Sequence, residues 1–506
     1  MVQSSLVCAL FVRLWTALCE SKIIKLLSAV TNAFERGVKT SKTVGLFVKH
    51  NPPEQYADTS VFYRLISKIA GVFVKLFTGI YNGIRKINSG SICEKVYGKT
   101  FGGSYIFKME IMLSLAVFVM MLVPHKLWNN MYALGIALIL TLFYVLTMSS
   151  GKAMGQNAKA IWLPLLLFMF SVVLGVAVSA EKSDSIRVLV FFVTSFMLCF
   201  CVYGTLTDFG RINKFMLIVF AMLVVTSAFA VLQRIAGIEA DASLTDLNLN
   251  ENMPGRLFGT LGNPNNFAEY LVLIIPVGLA YALNIDDKKK KTGALLLMLL
   301  PLAALLGTYS RSSWISFAVS MVVFVVMWNR KSIPFWILLV VCLLPFLPES
   351  IWNRILTIGN LEDSSSAYRL NIWKGSFDMI KDYPISGIGL GPGAFTEIFP
   401  MYALENTKVA PHSHMQFLEV WVEMGIIGLL SFVWLSVALV RRCMKNWWST
   451  PSTKIRTVMA AGAASMTAIA INGIFEYLWF YPRVMFIFFI TVGFIMAAAK
   501  CSRETD

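Results

Sequence analysis

The sequence predicts an all-α, polytopic transmembrane helical bundle of about twelve spans, with a large outer loop before the tenth span. Three observations carry that expectation. Of 506 residues, 57% are hydrophobic and 14% charged, against roughly 45–50% and about 25% in soluble domains. Mean hydropathy is +0.68, and the apolar residues gather in runs of about 17–25, the length at which a helix crosses a bilayer. The runs lack the period-two alternation of a barrel, and in lipid only helices or closed barrels satisfy the backbone.

Residues 1–108 stand apart as a basic, amphipathic, cytoplasmic N-terminal region, with 15 Lys/Arg against 5 Asp/Glu. Two stretches, about 4–36 and 60–88, read as amphipathic helices separated by Asn51-Pro52-Pro53. In the second, Arg64, Lys68 and Lys75 oppose Phe62, Ile66, Ile69, Phe73 and Phe77, a pattern suited to an anionic leaflet. A cytoplasmic arm without such a helix is the plainer reading. Met1 to Cys19 is interrupted by Arg13 and shows no small-residue cleavage site, so it does not read as a signal peptide.

From Met109 to residue 499 the chain is a succession of apolar runs. They fall near 109–124, 130–149, 161–180, 187–206, 214–234, 266–285, 293–309, 311–328, 333–348, 414–440, 457–476 and 480–499. The basic clusters at Lys288 to Lys291, Arg330-Lys331 and Arg441 to Arg456 alternate onto one side, as do Lys152 with Lys159, Arg211 with Lys214, and Lys500 with Arg503. The positive-inside rule makes that side cytoplasmic. Both termini then lie inside, the tail 500–506 included, and the long connections at about 235–265 and 349–413 lie outside. The same bias accounts for the formal charge of +16 without nucleic acid as a partner. The eight cysteines show no zinc spacing, and none falls in a predicted outer loop where a disulfide would form.

The chemistry-bearing residues collect on the predicted outer side. His412 and His414 stand where the large loop enters a helix, and a histidine at such a boundary suits general base catalysis near neutral pH. Arg256, Arg311 and Arg369 accompany them. A guanidinium suits a diphosphate because its planar fork donates two parallel charge-assisted bonds and keeps its charge. Taken singly, each arginine also fits snorkelling to headgroups, and each histidine fits capping or anchoring of the loop. Glu269, Glu419, Glu423 and Glu476 lie within or beside spans, where they balance the arginines, relay protons or bond between helices. No carboxylate cluster suggests a bound metal. Gly425 and Gly428 read as sites of close helix packing.

These pieces resemble the bacterial O-antigen ligase and O-antigen polymerase superfamily, over roughly residues 109–499. The motifs are Arg256 with Gly262-Asn263-Pro264-Asn265, Thr308-Tyr309-Ser310-Arg311, His412-Ser413-His414, and Glu423-Met424-Gly425-Ile426-Ile427-Gly428, in that order. The resemblance implies a metal-independent, inverting membrane glycosyltransferase of the GT-C type, without cofactor, in the bacterial cytoplasmic membrane. Its donor would be a glycan on undecaprenyl diphosphate and its acceptor another glycan or lipid, with membrane lipids and a chain-length regulator as further partners.

By position, His414 would be the general base and His412 a weaker candidate or orienting partner. Arg256 and Arg311 would hold the diphosphate, Arg369 would contribute from the loop, and Asn265 and Glu423 would support the site. One departure is Met415, where the family carries a polar residue; methionine supplies no amide for a bond to substrate or to His414. Ligase and polymerase motifs overlap too far to separate. A transporter or flippase of lipid-linked oligosaccharide is the reading from another class. It calls for repeat symmetry and charged residues near mid-bilayer on several helices, whereas here they gather at one face.

Overall fold

The computed structural model describes residues 108–149, 159–238, 255–358, 364–404 and 407–502, with isolated positions elsewhere. The two N-terminal amphipathic stretches and the middle of the 235–265 connection lie largely outside the described residues. Within them every regular element is helical. In chain order these are α1 Met109–Leu122, α2 Asn130–Ser149, α3 Lys159–Val178, α4 Lys182–Thr205, α5 Phe209–Ile235 and α6 Pro264–Asn284. Then come α7 Lys288–Leu297, α8 Leu299–Gly307, α9 Arg311–Asn329, α10 Ile333–Leu343, α11 Glu349–Leu356, α12 Ser364–Asp382 and α13 Gly391–Ile398. The chain closes with α14 Gln416–Ser449, α15 Thr453–Asn472 and α16 Pro482–Cys501.

Short polar residues between the apolar runs start the helices. Asp208, Asn263, Asp287 and Ser452 each accept from an amide in the first turn of the helix they precede, satisfying donors that have no intrahelical partner. Among the described residues, eight helical stretches are long and apolar enough to cross a membrane. Three shorter apolar helices stand beside them at Met109–Leu122, Asn130–Tyr144 and Leu163–Val178. The 333–348 run folds as α10, of 11 residues. At 1.5 Å per residue such a helix covers about 16 Å, roughly half the hydrocarbon thickness. A 3-10 turn at Arg330–Ser332 links it directly to α9.

Helices α6, α15 and α16 form the centre. α15 packs against α9, α6 and α14, α16 against α4, and α3 against α14. The run Met459-Ala460-Ala461-Gly462-Ala463-Ala464-Ser465 on α15 is buried, and its small side chains let neighbouring backbones approach closely. Phe168, Phe192, Phe196, Phe432 and Phe489, with Trp479 from the turn before α16, make an aromatic knot between α3, α4, α14 and α16 that is mostly edge-to-face.

The connection at 349–413 is folded over most of its length. Its helices α12 and α13 and the 3-10 turn after them bury Ile372, Met379, Ile380, Phe395 and Phe399 against Leu418 and Val422 of α14, a second apolar core separate from the bundle. Gly425 joins the two. Its φ of 67° interrupts α14, freeing carbonyls that would otherwise accept within the helix. Ile388 N donates to Val422 O at 2.8 Å, Gly389 N to Glu423 O at 3.2 Å, and Ile426 N to Pro384 O at 3.0 Å. The reading of Gly425 as a helix-packing contact is thereby replaced: it is a break that receives the 384–389 loop. A Cβ there would run into the Ile385 carbonyl.

Candidate functional site

The stretch from Arg256 to Asn265 is built to fix two side chains. Gly259 and Gly262 take positive φ values of 53° and 80°, and a Cβ on Gly262 would stand 2.8 Å from His125. Asn263 then caps α6, accepting from Asn265 N at 2.8 Å, and Pro264 occupies the first helical position, where its missing N–H costs nothing. The result aims Asn265 at Arg256, whose Nη2 donates to Asn265 Oδ1 at 2.5 Å. Arg256 Nε donates to Thr308 O at 2.7 Å, and Leu257 N to Gly307 O at 2.8 Å. The two motifs that the sequence shows far apart are thus zipped together.

The second motif ends in strain. Tyr309 has φ 52°, one of two non-glycine residues with positive φ among the described residues; the other is His414, at 54°. Such backbone is costly and persists where the surroundings over-determine it, commonly at functional sites. Arg311 opens α9, so a cation sits at the positive end of a helix dipole, an arrangement that favours a bound anion and disfavours the bare arginine. Its Nη1 donates to Thr357 O at 2.8 Å and Thr357 Oγ1 at 3.3 Å. Arg354 of α11 donates from Nε to Tyr309 O at 3.3 Å.

Glu476, in the stretch between α15 and α16, is the hub. Its Oε1 accepts from Arg369 Nη2 at 2.5 Å and from Asn265 Nδ2 at 3.3 Å, and its Oε2 lies 3.9 Å from His414 Nδ1. Burial pushes its pKa up, but Arg369 and His414 outweigh that and hold it below the ordinary value. Burial comes first in lowering the pKa of Arg256, followed by Arg354, with Arg369 and Arg311 adding to it and only Glu476 opposing. Arg369 thus pairs with Glu476, and Arg354, Arg369 and Arg311 lie close enough to Arg256 to lower its pKa, a gathering of guanidiniums of the kind that suits an anion.

The histidines take different stations. His412 is buried, packed 4.4 Å from the Phe480 ring and 4.1 Å from that of His414. Its Nδ1 accepts from His414 N at 3.1 Å, and burial, then His414 and Arg369, keep its pKa well below the usual 6.5. His414 is partly open, with Tyr368 edge-on at 6.2 Å and Glu476 behind it. Glu419 Oε2 holds the loop from below by accepting from Ser413 N at 2.6 Å. Gln416 N donates to Gly473 O at 2.7 Å and Glu476 O at 3.1 Å, tying the start of α14 to the hub. Met415 turns into the apolar core of the 349–413 segment.

Arg256, Arg311, Arg369, Asn265, His412 and His414 thus come together. Glu423 stands one step away: its carboxylate accepts from Gly391 N at 2.9 Å and from Tyr477 OH at 3.1 Å, so it braces the 384–391 loop against the residue that follows Glu476. Sequence reasoning missed Arg354, whose only signal is a basic residue in a short amphipathic helix. It named Glu476 merely as one acid among four. It passed over Arg483, which is fully buried and donates to Val123 O at 2.6 Å, Thr260 O at 2.9 Å and Tyr481 OH at 2.8 Å.

Fold and site together define a multi-helix integral membrane protein with a buried arginine–glutamate hub next to a histidine pair. Residues 296–433 match the family model described as O-antigen ligase. That match places the segment carrying Arg311, Arg354, Arg369, His412, His414 and Glu423 in the O-antigen ligase and polymerase superfamily. No curated protein matches the chain.

Proposed function

We propose that the protein is a metal-independent, inverting glycosyltransferase. It would transfer or polymerise a glycan from an undecaprenyl-diphosphate-linked donor at the outer face of the bacterial cytoplasmic membrane. The observation that carries this reading is the cluster around Glu476, which accepts from Arg369 and from Asn265, itself held by Arg256, beside His414. In the proposed step the acceptor hydroxyl oxygen attacks the anomeric carbon, and the bond from that carbon to the diphosphate oxygen breaks with inversion. His414 takes the hydroxyl proton, with His412 fixing its backbone. The arginines hold the diphosphate and stabilise the charge that grows on it as it leaves, the term that dominates much enzymatic catalysis. A bound cation fits this donor set poorly, because guanidiniums donate and do not ligate.

The apolar runs support about twelve passes, and the basic loops, under the positive-inside rule, support cytoplasmic termini and an outward site. The site residues support one shared end: they come from the starts of α6, α9 and α14 and from the stretch leaving α15. The test is transfer in proteoliposomes from undecaprenyl-diphosphate-linked glycan pools, with and without chelator. Chelator-resistant transfer that is lost in His414→Ala and Arg311→Ala at equal folded yield supports the reading. Product length separates polymerase from ligase. Undiminished transfer in both variants removes the site assignment.

A further inference from the structure

His414 presents its two ring nitrogens to different surroundings. Nδ1 is buried, no hydrogen-bond partner reaches it among the described residues, and the carboxylate atom it faces is Glu476 Oε2 at 3.9 Å. Nε2 is left on the open side of the ring. Glu476 is itself fixed from several directions. Its Oε1 accepts from Arg369 Nη2 at 2.5 Å and from Asn265 Nδ2 at 3.3 Å, which leaves Oε2 for the imidazole. Its backbone N donates to Asn472 O at 3.0 Å, and its backbone O accepts from Gln416 N, two positions beyond His414, at 3.1 Å. Carboxylate and histidine are thus held in one frame, by main chain as well as side chain.

From this we infer that Glu476 is the positioning residue of the base: its Oε2 takes the Nδ1–H of His414 and leaves Nε2 unprotonated for the acceptor hydroxyl. The inference rests on the glycan-transfer reading above. An ionised carboxylate only accepts, so the nitrogen it faces carries the ring proton and the other keeps its lone pair. A closure of about 1 Å makes the contact a hydrogen bond, and catalytic contacts of this kind tighten once the reactants are bound. In the step, the hydroxyl proton passes to Nε2 as its oxygen attacks the anomeric carbon, and the electron pair of the broken bond leaves with the diphosphate. The imidazolium so formed lies against Glu476, whose negative charge offsets it. Asn265, on the other oxygen, is bonded to Arg256, so one run of hydrogen bonds joins a diphosphate-holding arginine to the carboxylate that orients the base.

The experiment is a double-mutant cycle on glycan transfer by the full-length protein in proteoliposomes: wild type, Glu476→Gln, His414→Ala and the two together. Binding of inorganic diphosphate to each is measured in parallel. Glutamine keeps an acceptor for Arg369 and Asn265 but turns a donor toward Nδ1, which favours the wrong tautomer of His414. The expected result is that Glu476→Gln lowers the saturated rate by about 10²-fold or more without raising the donor concentration needed for half-maximal transfer. With alanine already at position 414, the same substitution should cost less than about threefold, because the two residues act as a unit. Equal losses in both backgrounds mean that Glu476 does not act through His414, and the inference fails while the base assignment stands. Diphosphate binding lost together with transfer in Glu476→Gln means that the carboxylate only keeps the site in shape, which also overturns it. Undiminished transfer in His414→Ala, or none in wild type, removes the functional reading itself.

Discussion

The backbone N–H of His414 donates to Nδ1 of His412 at 3.1 Å. A ring nitrogen that accepts carries no proton, so His412 spends its basic atom on its neighbour's backbone, while His414, at φ 54°, is turned toward Glu476. The two histidines therefore differ in what they contribute. His414→Ala should lower transfer by about 10²–10⁴-fold, the usual worth of a general base. His412→Asn keeps an acceptor within reach of the amide and should cost only about fivefold to tenfold, the worth of one perturbed hydrogen bond. Initial rates of glycan transfer at saturating donor check both. Equal losses in the two variants would show that the ring of His412 does more than orient.

The acidic limb of stability should have two parts. His412 has a folded pKa below its unfolded value of about 6.5. As pH falls through that value the unfolded chain takes up the proton first, so stability present above it is progressively lost. Glu476 is likewise depressed, from an unfolded value of about 4.3, so its contribution is complete above that pH and is lost as pH falls toward the folded value. Thermal unfolding in detergent from about pH 8 down to about pH 3 should show both declines. His412→Asn should remove the upper one and Glu476→Gln the lower. A pH profile that neither substitution alters would exclude these two groups as its source.

The sequence exposes the parts of the site whose cause is local. Gly262-Asn263-Pro264-Asn265 stands out as a motif, and in the structure its four residues make a left-handed turn, a cap and a helix start. The pair at His412 and His414 is legible because histidine is scarce, with four in the chain. What escapes is whatever depends on a distant partner. Arg354 looks like any loop cation until α11 folds against Tyr309, 45 positions earlier. Glu476 becomes the hub only because Arg369, 107 positions away, and Asn265, 211 away, arrive beside it. Gly425 sits in an apolar run where a small residue normally signals helix packing; its reason is the 384–389 loop, which no periodicity reveals.

That loop makes Gly425 a sharp test. Gly425→Ala forces a side chain into the Ile385 carbonyl at a φ of 67° that L-residues rarely adopt. It should destabilise by more than about 1 kcal/mol and loosen the 384–391 loop from α14. Gly293→Ala, in α7 with nothing near the added methyl, should be neutral or stabilising by up to about 1 kcal/mol. Thermal unfolding combined with limited proteolysis around residues 384–391 separates the outcomes. Similar behaviour of the two variants would mean the break in α14 bears no load.

Arg483 offers a prediction at a distance from the chemistry. Its guanidinium is fully buried, bonded to the carbonyls of Val123 and Thr260 and stacked 5.3 Å from Trp128. Thr260 sits in the 3-10 turn between Arg256 and the cap of α6, so Arg483 pins the loop from which Arg256 reaches Asn265. Replacing it with methionine keeps much of the volume but leaves those carbonyls unpaired, at about 1–3 kcal/mol for each group stranded. Arg483→Met should therefore lower thermal stability and raise the donor concentration needed for half-maximal transfer, with a smaller change in the saturated rate. Arg483→Lys, a point donor without the fork, should restore only part of the loss. A fall in the saturated rate with no change in donor dependence would place Arg483 outside the support of the diphosphate site.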